Sequence, residues 1–220
     1  SYAPVLRRLI LHPGLITAIE QEFRAQIERL LNRGIRLSHL NAHKHLHVFP
    51  RLWKMVQGLA RDYQIPFIRY PLECPPGWAR PFTWSTNSGR RNLRRFAPVY
   101  AFTGGAFALS LLRNPGRGPG RPLPWIPDRF CGLYDTGHLD LSSVLEHIQK
   151  MKPGLTELMC HPGHVDQDLR RLPTRLLESR EREVRVLCSP EVARAVQTAG
   201  ITLSSFGACY GLFHRRSCLQ

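Results

Sequence analysis

Apolar residues recur at three- and four-residue steps between Leu15 and Asn32, at Ile16, Ile19, Phe23, Ile27, Leu30 and Leu31. That period predicts an amphipathic helix. Arg33-Gly34 ends it, since glycine suits the left-handed position after a helix. From Leu37 to Val48 the pattern changes to alternation, which predicts a strand, and Pro50 closes it because proline has no N–H to donate. Arg51 to Tyr63 returns to the helical period, with Leu52, Met55, Val56, Leu59 and Ala60 as its apolar stripe. Pro66 to Tyr70 reads as a short strand closed by Pro71. Helix, strand, helix, strand predicts an α/β chain with parallel strands and crossover helices.

Ser1 to Pro13 is a basic and apolar lead, and Cys74 to Thr86, rich in proline and tryptophan, reads as a loop. Asn87 to Leu112 is expected to be helical in part. Residues 114–127 are crowded with glycine and proline and predict a flexible loop. Phe130 to Tyr134 reads as a strand, Ser142 to Met151 as a helix with Val144, Leu145 and Ile148 inward, and Leu155 to Cys160 as a buried strand. Helices are predicted at Glu178 to Leu187 and Pro190 to Ala199, the second opened by Ser189 as N-cap and a first-turn proline. Ile201 to Ser205 reads as a last strand. The expected organisation is one partial domain over 1–209 and a frayed C-terminal tail over 210–220.

A chain of 220 residues can bury a sizeable core. The formal charge of +15 raises the question of nucleic acid. The arginines are spread along the chain, however, and the one dense cluster, Arg90-Arg91-Asn92-Leu93-Arg94-Arg95, comes with no zinc-finger, RNP or homeodomain pattern. No nucleic acid is therefore expected as partner. No apolar run predicts a transmembrane segment: Ala97 to Leu112 is broken by Thr103-Gly104-Gly105 and is shorter than the roughly 20 residues a span needs. No secretory signal heads the chain, and a start at Ser1 suggests a piece of a longer one. The six cysteines show no Cys-x-x-Cys spacing, so they read as reduced thiols of a cytoplasmic protein rather than as a zinc site or disulfide framework.

Chemistry concentrates in His39-Leu40-Asn41-Ala42-His43-Lys44-His45-Leu46-His47-Val48-Phe49-Pro50, which holds four of the ten histidines. On a strand, His39, Asn41, His43, His45 and His47 would share one face. Imidazole is the commonest metal-ligating side chain, and such a row is costly to bury without partners. Strand geometry separates His43 and His47 by roughly 13 Å, so at most two adjacent imidazoles would share an ion.

The second candidate segment is Glu157-Leu158-Met159-Cys160-His161-Pro162-Gly163-His164. His161 follows a predicted parallel strand, and α/β active sites gather at the carboxyl ends of strands, so it is expected at the same mouth as the histidine row. It is a candidate general acid or base, with turn capping as the competing explanation. Cys160 reads as a buried structural thiol rather than a nucleophile. Arg69, Tyr70 and Glu73 follow the preceding strand and face either that mouth or solvent as salt-bridging residues. Asp135, Gly137 and His138 mark a loop.

The same pieces, in this order, resemble the YdjC-type carbohydrate deacetylases. The likeness rests on Glu22-x-x-x-Gln26, the histidine segment, Arg69-Tyr70-Pro71-Leu72-Glu73, Phe130-x-Gly132-Leu133, the segment from Glu157 to Gly163, and Arg180-x-x-Glu183-Val184-x-x-Leu187. It implies a (β/α) barrel-like fold and hydrolysis of an N-acetyl group from an amino sugar or glycolipid. It also implies a divalent metal, Mg²⁺ ahead of Zn²⁺. By motif, His43 would be the metal ligand, His45, His47 and Arg69 would bind substrate, and His161 would be catalytic, moving a proton to or from the leaving amine.

The chain departs from that family in three places. The family's Asp-Asp-Phe-Gly segment and its Gly-x-His segment do not occur here, and Asn41 stands where many relatives have Asp. The expectation is therefore a barrel lacking its first strands and part of its metal site. A catalytically inactive carbohydrate-binding remnant of the fold is one alternative, and a basic nucleic-acid-binding module is another. The expected partner is an N-acetylated sugar or glycolipid, with a homodimer left open.

Overall fold

The computed structural model describes residues 8, 12, 14–71, 73 and 124–217, with side chains through residue 211. The readings of the basic lead, except at residues 8 and 12, of the loop from Cys74 to Thr86, of the stretch from Asn87 to Leu112 with its arginine cluster, and of the flexible loop as far as residue 123 lie outside the described residues. The chain divides into two units, Ser1–Tyr70, Pro98–Ile126 and Ser204–Gln220 in the first, and Pro71–Ala97 and Pro127–Leu203 in the second.

The first unit contains helix α1 (Gly14–Leu31), strand β1 (His39–Leu40), a 3-10 segment (His43–Val48), helix α2 (Pro50–Asp62), strand β2 (Phe67–Ile68) and a C-terminal helix, Phe206–Ser217. The apolar stripe predicted for α2 is its buried face: Leu52, Met55, Val56, Leu59 and Ala60 are all buried, joined by Trp53. Ile16, Ile19, Phe23 and Ile27 of α1 pack in the same core. After α1 the Gly34 N–H bonds to Leu31 O and the Ile35 N–H to Leu30 O, the paired bonds of a Schellman turn. Gly34 takes the left-handed position at φ +74°. Helix α2 ends the same way, with Gln64 at φ +53°.

Strands β1 and β2 pair in parallel, His39 with Phe67 and Leu40 with Ile68. The predicted long histidine strand is corrected here. Extended pairing stops after Leu40, and Lys44 and His45 both adopt left-handed backbone at φ 52° and 57°. Two successive left-handed residues reverse the chain and end the alternation of side chains. The limit on shared ligands drawn from strand spacing lapses with the strand. The predicted tail is corrected too, because the chain is helical through Ser217. Its anchors are tertiary: Phe206 stacks on His39 and Phe67, with centroids 4.6 and 5.0 Å away, and Tyr210 lies 5.8 Å from Trp125.

The second unit contains β3 (Arg129–Cys131), α3 (Leu141–Lys150), β4 (Thr156–Leu158), α4 (Gln167–Arg171), α5 (Glu178–Leu187) and α6 (Pro190–Thr198). With these named, the C-terminal helix of the first unit is α7. Strands β3 and β4 are parallel, Arg129 opposite Thr156 and Cys131 opposite Leu158. Leu139, Val144, Ile148 and Val192 form the core, with Leu145 and Cys160 packed against it. Ser189 caps α6 by accepting the Val192 N–H at 3.3 Å, as its sequence implied. The strand expected at Ile201–Ser205 is not formed, while α4, which sequence reading missed, is capped by the Asp166 carboxylate on the Leu169 N–H. The architecture is mixed α/β with short parallel strands. No helix among the described residues is long and apolar enough to cross a membrane.

Candidate functional site

On the first unit the histidine segment is graded in exposure. His43 is exposed, His45 half-buried and His47 buried. His47 lies 1% exposed and its Nε2 is 2.7 Å from the Arg69 carbonyl oxygen. A carbonyl only accepts, so Nε2 carries the proton and Nδ1 of the neutral ring is a lone pair. That buried Nδ1 has no hydrogen-bond partner among the described residues. Burial holds the His47 imidazole down at about 4, with the Arg69 charge adding to the effect against the carbonyl bond. His45 sits 6.3 Å from His47, edge to face, and its Nδ1 is 3.4 Å from Asn41 Oδ1. His39 bonds Ser38 Oγ at 3.0 Å, and burial followed by the Arg69 charge lowers its pKa. Arg69 follows β2, where its N–H bonds Leu40 O at 2.9 Å.

Left-handed backbone at a residue with a side chain costs roughly 1–2 kcal/mol. Two in a row, at Lys44 and His45, sit in the segment richest in chemistry. Strain of this kind survives where the surroundings impose it, and such places cluster at functional sites.

On the second unit His161 follows β4, half-buried, and its backbone N–H donates to Glu183 Oε2. The same unit assembles a cluster that sequence reading did not join: Glu73, Asp135 and His147, whose ligand atoms lie within 4.8 Å of one another. Glu73 Oε2 accepts the Leu133 and Tyr134 N–H groups at 2.8 and 3.1 Å, and Oε1 faces the Gly132 N–H at 3.4 Å. Desolvation lifts its carboxyl to about 7, with Asp135 also raising it, against the backbone bonds and His147. His147 Nε2 bonds Asp135 Oδ2 at 2.7 Å. Desolvation lowers the His147 pKa, but the bond and charge of Asp135, with Glu73, carry it above the ordinary value. Two carboxylates and an imidazole at these separations can hold a divalent ion. Asp135 and His147 are bonded to each other, while Glu73 is held by backbone N–H groups. Residues 73, 135 and 147 lie too far apart in sequence for any spacing rule to connect them.

His43, His45, His47 and Arg69 thus belong to the first unit and His161 to the second. Cys131, Cys160, Cys188 and Cys209 form no disulfide among the described residues. Burial, then the Glu73, Asp135 and Glu157 charges, pushes the Cys131 thiol up to about 12, so it is no nucleophile.

A family model described as YdjC-like protein matches residues 5–198. A carbohydrate deacetylase of Brevibacillus brevis is 42% identical over 189 residues, covering 86% of this chain and 60% of its own length. A carbohydrate deacetylase of Oceanobacillus iheyensis is 26% identical over 185 residues, covering 84% of this chain and 60% of its own. This chain therefore spans about three-fifths of the relatives it matches. Among solved structures, an Enterococcus faecalis protein described as a cellobiose-phosphate cleavage protein is similar with a TM-score of 0.60 at 21% identity. That match covers 87% of this chain and 60% of the other, and it speaks to fold alone.

Proposed function

The chain belongs to the YdjC-like family, and from that membership we propose that it takes part in metal-dependent removal of an N-acetyl group from an amino sugar or glycolipid. The observation that carries the reading is the histidine segment. Its strained turn leaves His43 exposed, while His47 is buried as a neutral ring with an unused Nδ1. A fold that needed this segment only for packing would gain nothing from the strain. The deacetylase names of the relatives support the choice of reaction. A (β/α) barrel-like fold is part of this reading, and parallel pairing within each unit is the kind of pairing such a fold uses. A cytoplasmic location is part of this reading, on the cysteine spacing of the sequence.

In this reading His43 of the first unit is the metal ligand and the ion is Mg²⁺ rather than Zn²⁺. Glu73, Asp135 and His147 of the second unit form a separate candidate site, whose two carboxylates also suit Mg²⁺. When bound, the ion supplies Lewis acidity toward an acetamide carbonyl and a more acidic water. His45, His47 and Arg69 bind the sugar. His47 is a buried neutral ring, its tautomer held by the Arg69 carbonyl. His161 moves the proton at the leaving amine.

The test is acetate release from N,N′-diacetylchitobiose with and without Mg²⁺, combined with calorimetric Mg²⁺ titration. His43→Ala is expected to weaken Mg²⁺ binding and stop acetate release. If Asp135→Asn removes binding and His43→Ala leaves it unchanged, the ion belongs to the Glu73 cluster and the His43 assignment is overturned. If a version extended to carry the family's acidic segment releases no acetate at any metal concentration, the reaction itself is refuted.

A further inference from the structure

We propose that Glu183, on helix α5, is a positioning residue for His161, holding its backbone so that the imidazole is presented in one geometry. The inference rests on the reading of His161 as the proton-transferring group.

The segment from His161 to Val165 has no helical or strand hydrogen bonds of its own. Its backbone is tied to α5 instead. The His161 N–H donates to Glu183 Oε2, the Gly163 N–H to the Arg180 carbonyl at 3.3 Å, and the Val165 N–H to Glu181 Oε1 at 3.1 Å. Pro162 has no N–H to satisfy. One helix therefore dictates the path of the loop at alternate residues, and two of the three acceptors are carboxylates.

Glu183 is the unusual one. It is 1% exposed, and its Oε1 is buried with no hydrogen-bond partner among the described residues. A buried carboxylate with one oxygen unsatisfied is expensive, and an apolar residue would pack α5 at lower cost. What the side chain adds is an oxygen acceptor aimed at a single amide, that of His161. The neighbouring ties at Gly163 and Val165 fix the loop; Glu183 fixes the residue that does the chemistry. Small displacements of a catalytic group lower turnover without changing substrate affinity.

The experiment compares Glu183→Gln, Glu183→Asp and Glu183→Leu in the protein assayed for acetate release from N,N′-diacetylchitobiose, with His161→Ala as reference. Glutamine leaves an acceptor in place without charge. Aspartate keeps the charge but withdraws it by one methylene. Positioning predicts that Gln stays within about threefold of wild type in kcat, whereas Asp and Leu fall about tenfold or more with KM unchanged. The His161 amide proton resonance should remain downfield in Gln and move upfield in Asp. The amide and the Gln–Asp pair carry the test even if Leu does not fold.

Asp matching wild type while Gln loses activity would overturn positioning in favour of a charge effect. All three variants within about twofold of wild type, with His161→Ala inactive, would overturn the role of Glu183 alone. An active His161→Ala, or a wild type that releases no acetate, would overturn the reading of His161 and the positioning role with it.

Discussion

His47 offers a magnitude that can be worked from the structure. Its ring is buried and falls from 6.5 to about 4. The unfolded chain therefore takes up a proton on this residue at a higher pH than the folded protein does. The stability held by the neutral ring is complete above pH 6.5 and is lost as pH falls toward 4. The whole shift is worth about 3 kcal/mol, of which about 2.5 is gone by pH 4.5. Glu73 works in the opposite sense. Raised to about 7 from 4.5, it adds stability as pH falls through the same window, so the wild-type curve alone hides both.

The informative perturbation is His47→Leu, measured beside wild type by urea denaturation followed by tryptophan fluorescence at pH 7.5 and 4.5. At pH 7.5 the variant loses the 2.7 Å bond to Arg69 O, at a cost of about 0.5–1.5 kcal/mol. At pH 4.5 the gap should shrink by about 2.5 kcal/mol, because leucine has no proton to refuse. Glu73 is present in both proteins and cancels from the difference. A gap that stays constant within about 0.5 kcal/mol would refute the claim that burial holds His47 neutral.

Gly132 sits at φ +93°, and a Cβ there would lie 2.2 Å from Met159 O on the neighbouring chain segment. Gly132→Ala should cost about 4 kcal/mol or more in urea denaturation. Gly34→Ala, at φ +74° with nothing within 4 Å, should cost only about 1 kcal/mol, so equal losses would contradict the packing argument. Gln64→Gly relieves an exposed left-handed residue and should stabilise by about 0.5–1 kcal/mol; a loss of stability would mean its side chain has a role of its own. Asp140 caps α3 by accepting the Ser143 N–H at 2.8 Å, and Asp140→Ala should lower stability by about 1 kcal/mol, read as a shift in the urea midpoint at constant slope.

The sequence alone determined helices α1, α2, α3, α5 and α6. Leu52, Met55, Val56, Leu59 and Ala60, spaced along one stripe, had only one way to be buried together, and the structure buries all five. Gly34 and Ser189 marked helix ends because a left-handed turn and an N-cap hydroxyl are properties of single residues. The motif order also carried the family, which depends on residues in sequence rather than in space.

Only the tertiary structure decided the rest. His39 to Val48 alternates like a strand, yet its pairing partner β2 spans just Phe67–Ile68, so beyond Leu40 no ladder holds the backbone extended. The left-handed pair at Lys44 and His45 has no signature in those residue types. Helix α7 looked like a tail because its anchors, His39, Phe67 and Trp125, lie far away in the chain. The Glu73 cluster and the tie from Glu183 to His161 were hidden for the same reason. Periodicity reports what a segment can bury, whereas a site is made by residues meeting across loops, and that meeting is set by which surfaces pack.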